Sequence, residues 1–311
     1  MDAGVGAQAA RSRTGHLAPA RRRSVALAVV RDYITLTKPR IIALLLLTTV
    51  ATMFVADPAG PSAATILWTM LGGYLAAGGA GAINHYLDRE VDARMARTRR
   101  RPLVSGRIEP VNGLVFGVAL GVVAFAQLWV TVNPVAAALA MAGLLGYVFV
   151  YTLWLKPLTP QNIVIGGAAG AVPPLVGWAA ATGGLSIDAV WPFAIVFFWT
   201  PPHFWALSLL IKDDYARAGV PMLPVVRGEA ETRRQIVIYS LVLVAVSVLP
   251  ALTGLFGALY LASALLLGAV FCSLALRLWA RGDRAAALRL YLSSLAYLAL
   301  LFGAMAADSV L

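Results

Sequence analysis

Asn84, Asp88 and Asp92 stand four residues apart, and they are the first side chains in this sequence with an obvious chemistry. On a helix, positions i, i+4 and i+8 share one face, with ~6 Å between successive side chains. Two carboxylates and an amide oxygen on one stripe make a hard-oxygen ligand set. Mg²⁺ takes such sets, using one or two carboxylates and filling its shell with phosphate oxygens and water. Zinc would want His or Cys. The alternative is a solvated helix end in which Asp88 and Asp92 pair with Arg89 or Arg94. The basic run that follows, Arg97-Thr98-Arg99-Arg100-Arg101, reads either as a topogenic loop or as a clamp for diphosphate oxygens, which arginine contacts in a bidentate way.

A second polar cluster lies further along. Trp199-Thr200-Pro201-Pro202-His203-Phe204 is followed by Lys212-Asp213-Asp214-Tyr215. Two acidic clusters facing one another could hold two metal ions across one diphosphate. His203 is a polar group inside an apolar stretch, either a satisfied hydrogen-bonder or a substrate contact.

What positions these residues must be membrane helices. The chain has 311 residues, 60% hydrophobic and only 13% charged, against roughly 25% charged in soluble domains. Apolar spans of the ~20 residues needed to cross a bilayer fall near 40–56, 65–86, 111–132, 134–155, 161–182, 189–211, 235–255, 257–279 and 287–307. This makes the fold all-α, a polytopic bundle of about nine transmembrane helices in a single domain over 31–311. Residues 1–30, rich in Ala, Gly and Arg, read as a disordered basic tail, with a mitochondrial transit peptide as the alternative.

Nine spans put all 25 Lys and Arg residues on one side, leaving only Asp57, Asp188 and Asp308 in the opposite loops. By the positive-inside rule the N-terminus is then cytoplasmic and the C-terminus outside, in a bacterial inner membrane or, alternatively, a mitochondrial one. The net charge of +11 fits basic loops facing anionic lipid, and no soluble module is present to bind nucleic acid. Cys272 is the only cysteine, so no disulfide can form within the chain. Both long loops, near 87–110 and 212–234, lie on the basic side, beside the acidic clusters. A transporter would gather its site near the bilayer midplane instead. A structural assembly factor would leave the acidic stripe unexplained.

At these residues the chain resembles the UbiA-type intramembrane prenyltransferases. The Asn84/Asp88/Asp92 stripe with a second acidic site carries that resemblance. A denser set resembles the branch that farnesylates protohaem IX. It comprises Asp32-Tyr33, Leu36-Thr37-Lys38-Pro39-Arg40, Met95/Arg97-Thr98/Arg101-Pro102-Leu103, Tyr151-Thr152, Leu155-Lys156, Thr159-Pro160-Gln161-Asn162, Pro202-His203-Phe204, Asp214-Tyr215 and Gly219-Val220-Pro221-Met222-Leu223-Pro224. The match covers about 30–235. The wider superfamily shows two carboxylates four apart in its second motif, whereas here Asp213 and Asp214 are adjacent and position 217 is Arg.

The resemblance implies that farnesyl diphosphate and haem b are substrates and that Mg²⁺ is the cofactor. It assigns Asn84, Asp88, Asp92 and Asp214 to the metal, with Asp213 the weaker ligand. Arg97, Arg101 and Lys212 fall to the diphosphate, Lys156 to substrate binding, and His203 and Tyr151 to the haem. A haem-A-forming enzyme or a terminal oxidase would be a natural neighbour. A related prenyltransferase acting on an aromatic acid or quinone precursor would share the fold and metal site and differ in its acceptor.

Overall fold

A run of ~20 apolar residues can satisfy its backbone inside hydrocarbon only as a helix, because every N–H and C=O needs an internal partner. The computed structural model describes residues 19–311, and among these nine helices are long and apolar enough to cross a membrane. Helix α1 (Pro19–Thr37) leads to α2 (Pro39–Ala56), α3 (Ala63–Leu87) and the short α4 (Arg89–Ala93). Next come α5 (Pro110–Thr131) and α6 (Pro134–Leu145), which continues as a π-helix over Gly146–Leu155 into α7 (Lys156–Leu158). Helices α8 (Asn162–Thr182), α9 (Val190–Leu210), α10 (Lys212–Ala218) and α11 (Leu223–Val226) follow. The bundle is completed by α12 (Gly228–Leu252), α13 (Ala258–Arg281) and α14 (Arg284–Val310).

The turns carry ordinary start signals. Pro occupies the first turn of α2, α5 and α6, where its missing N–H costs nothing. At the end of the bundle away from Asp88, the Ser62 hydroxyl accepts from the Thr65 amide at 3.1 Å, and the Asn133 side chain accepts from the Ala136 amide at 2.8 Å. At the Asp88 end, Asp283 caps α14 through the Ala286 amide at 2.7 Å.

Two elements differ from the sequence reading. The segment expected to be a disordered tail is helical from Pro19 onward; residues 1–18 lie outside the described residues. Good helix formers sustain α1, and its C-terminal end is anchored by Leu36, fully buried, and by Asp32, paired to Arg107 at 2.8 Å. Helix α12 begins at Gly228 rather than near 235. Glu229 and Glu231 in its first turn complement the positive end of the helix, and Arg234 pairs with Glu231.

Small residues let the helices touch. Helix α3 packs on α5, α2 on α8, and α14 closes against α2 and α9. At the α3–α5 crossing, a Cβ on Gly79 would sit 2.7 Å from the Gly117 carbonyl oxygen, and one on Gly117 would sit 2.9 Å from that of Gly79. Backbones in this reciprocal contact are what small residues four apart allow inside a membrane. At Gly177, a Cβ would run into the Thr49 carbonyl of α2. At Gly170, on the same helix, a Cβ would meet nothing within 4 Å. Gly177→Ala should therefore lower the thermal transition of the detergent-solubilised protein, at a cost of ~1–3 kcal/mol from overpacking. Gly170→Ala should leave it unchanged or raise it, since Ala is the better helix former. Equal transitions for the two variants would show that the α2–α8 contact is not as close as described.

Candidate active site

The acidic stripe survives a break in its helix. Helix α3 ends at Leu87, and Asp88 joins it to α4, yet the amide of Asp88 still bonds Asn84 O at 2.9 Å and that of Asp92 bonds Asp88 O at 2.7 Å. The i, i+4, i+8 register thus continues, and Asn84, Asp88 and Asp92 are all buried. Neither carboxylate pairs with Arg89 or Arg94. Arg89 donates to the Tyr86 carbonyl and reaches Glu90 instead. Asp88 pairs with Lys156 at 2.5 Å, and Asp92 with Arg101 at 2.5 Å. Both partners come from distant or folded-back segments, so these are tertiary contacts of the kind that buried charges require.

The π-helix supplies the facing wall. In an α-helix, residues five apart diverge by about 140°. Here the Thr152 hydroxyl donates to Tyr147 O, five residues back, and the Lys156 amide bonds Tyr151 O in the same way. This wider winding lets Tyr147, Thr152 and Lys156 address one side of the segment, and such stretches recur at functional sites. Asn84 donates its side-chain amide to Thr152 Oγ1 at 3.1 Å and to Asp88 at 2.8 Å. Tyr151 stacks on Tyr147 with ring centres 5.3 Å apart.

Lys38, like Tyr147 and Thr152, is a residue that sequence reasoning left out of the site. It lies between α1 and α2 with φ 58° and ψ 53°, the only non-Gly positive φ among the described residues. The following Pro39 disfavours the right-handed region, and the left-handed one costs ~1–2 kcal/mol for an L-residue. That strained backbone aims the ammonium at the site. Nζ donates to Asn84 Oδ1 at 2.6 Å and to the Tyr147 hydroxyl at 3.4 Å. Burial, and after it the Arg101 guanidinium, pulls the Lys38 ammonium down to about 7, against Asp88, which raises it. The available signal was its place directly before Pro39 in the Thr37-Lys38-Pro39-Arg40 motif.

The second acidic cluster reaches the first through the basic loop. The Ala96 amide donates to Asp214 Oδ1 at 3.3 Å, and Arg217 pairs with the same carboxylate. Burial raises the Asp214 carboxyl, but the Ala96 amide and Arg217 outweigh it and hold it below its ordinary value. Arg97 lies beside Tyr215, where burial raises the phenol and the guanidinium lowers it. A small core of Met95, Ile163, Tyr215, Ala218, Val220 and Met222 fastens these loops together. Two expected residues stand apart. Asp213 is exposed, and Lys212 pairs with Glu229 at 3.0 Å.

His203 occupies the seam between α9 and α14. Its ring is stacked between Trp199 and Tyr291, with centres 4.2 and 5.0 Å away. Its Nδ1 lies 2.6 Å from Ser294 Oγ. The Ser294 hydroxyl donates its single proton to the Tyr291 carbonyl at 2.6 Å, so Nδ1–H must be the donor to Ser294. The lone pair of neutral His203 is therefore on Nε2. No hydrogen bond joins His203 to the acidic stripe among the described residues.

Beneath the charged end lies an apolar cavity of 230 Å³ between α2, α3, α6 and α8. Lys38 and Tyr147 stand at its mouth, and Ile42, Leu45, Ala76 and Leu144 line its wall. Head-group charges thus sit directly above a hydrocarbon-lined chamber.

The donor types fit Mg²⁺: an amide oxygen and two buried carboxylates. Among the described residues no three His, Cys, Asp or Glu side chains converge on one point. The protein alone therefore offers less than a full coordination shell, and a metal here would take further oxygens from substrate or water.

The sequence matches the UbiA prenyltransferase family over residues 45–301. It is 56% identical over 283 residues to the protoheme IX farnesyltransferase of Chloroflexus aurantiacus, covering 91% of this chain and 48% of the relative. It is 53% identical over 300 residues to that of Symbiobacterium thermophilum, covering 94% and 98%. The chain spans about half the length of several curated relatives it matches, such as those of Chloroflexus and Roseiflexus. In three dimensions it resembles a digeranylgeranylglyceryl phosphate synthase, with TM-score 0.74, 17% identity and coverage of 91% and 99%. A UbiA homologue from Archaeoglobus fulgidus bound to DMAPP and Mg²⁺ gives 0.67, 17%, 90% and 99%. The nine-span bundle, the acidic stripe with its cations and these matches lead to one conclusion: the chain belongs to the UbiA prenyltransferase family.

Proposed function

We propose that this protein transfers the farnesyl group of farnesyl diphosphate to a vinyl group of haem b, with addition of water, giving haem O and diphosphate. One observation carries the prenyl-transfer half of this reading. Lys38, Arg101 and Lys156 gather around Asn84, Asp88 and Asp92, at contacts of 2.5–2.6 Å, over an apolar cavity. An anionic head on a hydrocarbon tail has the polarity of that arrangement. The acceptor half is supported by the relatives named above and by the motifs shared with the haem branch.

In this reading, Asn84, Asp88 and Asp92 would hold Mg²⁺, and Asp214 would be the carboxylate of the second cluster available to it. When bound, the metal would neutralise charge on the departing diphosphate. Lys38, Lys156, Arg97 and Arg101 donate to the phosphate oxygens and stabilise the negative charge that grows as the allylic C–O bond breaks. The electron pair leaves with diphosphate. The Tyr147 face at the cavity mouth can lie against the positive allylic carbon. The vinyl π pair then forms the new C–C bond. Water captures the cation left beside the porphyrin and loses a proton, giving the hydroxyethylfarnesyl substituent.

His203 is our candidate for the haem side. A ring whose Nδ1–H is held by Ser294 presents the Nε2 lone pair, the arrangement found in metal-binding histidines. Tyr151, stacked on Tyr147, is our second candidate porphyrin contact. We place the N-terminus in the cytoplasm of a bacterial cell, because every Lys and Arg of the sequence belongs to the Asp88 side in the nine-span order.

Purified protein given haem b, farnesyl diphosphate and Mg²⁺ should yield a haem heavier by one farnesyl and one water, read by mass spectrometry. Asp88→Ala should abolish that product. A wild type that binds farnesyl diphosphate but leaves haem unchanged would redirect the reading to another acceptor. Lys156→Met should lower turnover by about 10²-fold or more, and Lys156→Arg should recover part of it; equal activity in both would remove the charge from the mechanism. Lys38→Ala should weaken Mg²⁺-dependent diphosphate binding about tenfold, the worth of one charged hydrogen bond, as followed by calorimetry. His203→Ala should shift the Soret band of bound haem, and an unmoved spectrum would take His203 away from the haem.

A further inference from the structure

We infer that the closed end of the apolar cavity is a length gauge for the prenyl chain, set by Thr49, Ala140 and Val176 above Met53. This rests on the proposed reading of the cavity as the tail site.

Four walls end against one packed layer. Along α2 the lining runs from Lys38 to Thr49, and one turn on, Met53 is fully buried. Along α8 it ends at Val176, with Ala179 and Ala180 buried beyond it. On α6, which runs the other way, it ends at Ala140, and Ala136 and Ala137 beyond are fully buried. On α3 it ends at Gly73, and a Cβ on the next residue, Gly72, would collide with Leu128. Met53, Leu128, Ala137 and Ala179 all belong to one packed cluster, which closes the chamber. The mouth-to-floor distance, read as the helical rise from Lys38 to Thr49, is ~17 Å. That depth is on the order of three extended isoprene units, so with the diphosphate at Lys38 the end of a farnesyl chain meets Thr49, Ala140 and Val176.

The floor is chemically plain. The Thr49 hydroxyl is turned back to the Leu45 carbonyl at 2.9 Å, so its methyl is what remains for a chain end. Discrimination at such a floor is steric, and each added or missing methylene there is worth about ten- to two-hundred-fold.

The test measures Mg²⁺-dependent binding of geranyl, farnesyl and geranylgeranyl diphosphate to the full chain, alongside transfer to haem b. Wild type should prefer farnesyl. Met53→Ala, which deepens the floor, should raise the geranylgeranyl-to-farnesyl affinity ratio by about tenfold or more. Ala140→Leu, which raises the floor, should shift the farnesyl-to-geranyl ratio as far the other way. Should Met53→Ala fail to fold, Ala140→Leu still decides, since it leaves no void. An unchanged ranking in folded variants overturns the gauge. If haem is prenylated while the ranking stays flat, the gauge alone falls. If the ranking moves but haem is never prenylated, the gauge stands and the acceptor reading falls. No binding of any of the three diphosphates overturns both.

Discussion

A carboxylate beside hydrocarbon must be paired, and in this protein that constraint organises one whole end of the bundle. Asp88 comes from the end of α3 and Lys156 from the far end of the π-helix, and they meet at 2.5 Å with side chains 10% and 13% exposed. Removing one member of such a pair costs about 3–5 kcal/mol, because the other charge is left stranded. The same logic spreads outward. Asn84 is bound by Thr152 and Lys38, Asp92 by Arg101, Asp32 by Arg107, and Asp214 by the Ala96 amide. The bonds of Asn84, Asp88 and Asp92 tie the α1–α2 junction, the π-helix and the basic loop to the stripe, while Arg107 and Ala96 fasten that same loop to α1 and α10.

The balance of charge says what the arrangement is suited to receive. Lys38, Arg101 and Lys156 face Asp88 and Asp92, so cations outnumber carboxylates before Arg97 is considered. The depressed ammonium of Lys38 records that crowding, since burial and Arg101 both press on it. An anion would relieve it. A free metal ion would not, so on the proposed reading Mg²⁺ would arrive together with phosphate oxygens.

Much of this was legible in the sequence. The nine spans, the charged end and the Asn84/Asp88/Asp92 stripe follow from apolar length and from a spacing of four, both of which a sequence displays directly. The partners of Asp88 and Asp92 were not legible. Arg89 and Arg94 are near in sequence, yet Lys156 and Arg101 are near in space, and only the fold decides between them. Tyr147 and Thr152 escaped because α-helical periodicity puts them on different faces, and only π winding brings them together. Lys38 escaped for a related reason. Its role depends on a left-handed backbone that no residue preference would assign to lysine. Asp213 and Lys212 were expected beside Asp214, yet Asp213 is exposed and Lys212 pairs with Glu229, because adjacency in sequence does not imply a shared direction.

The position of the cavity also bears on how one site can handle two cations with opposite needs. On the proposed reading, the first cation, on the allylic carbon, must be kept from water, and the second, beside the porphyrin, must meet it. The polar side chains lining the chamber are Thr37, Lys38 and Tyr147 at the mouth and Thr49 at the floor, whose hydroxyl is bonded to its own helix. A carbon at the mouth then has dry wall behind it, and an aromatic face and the leaving diphosphate in front. On that reading water would come from the charged side, past the diphosphate and the acceptor. The acceptor therefore shields the first cation while it forms the bond, and the second cation arises on the side that water can reach. Order in space would thus impose order in time, without a moving lid.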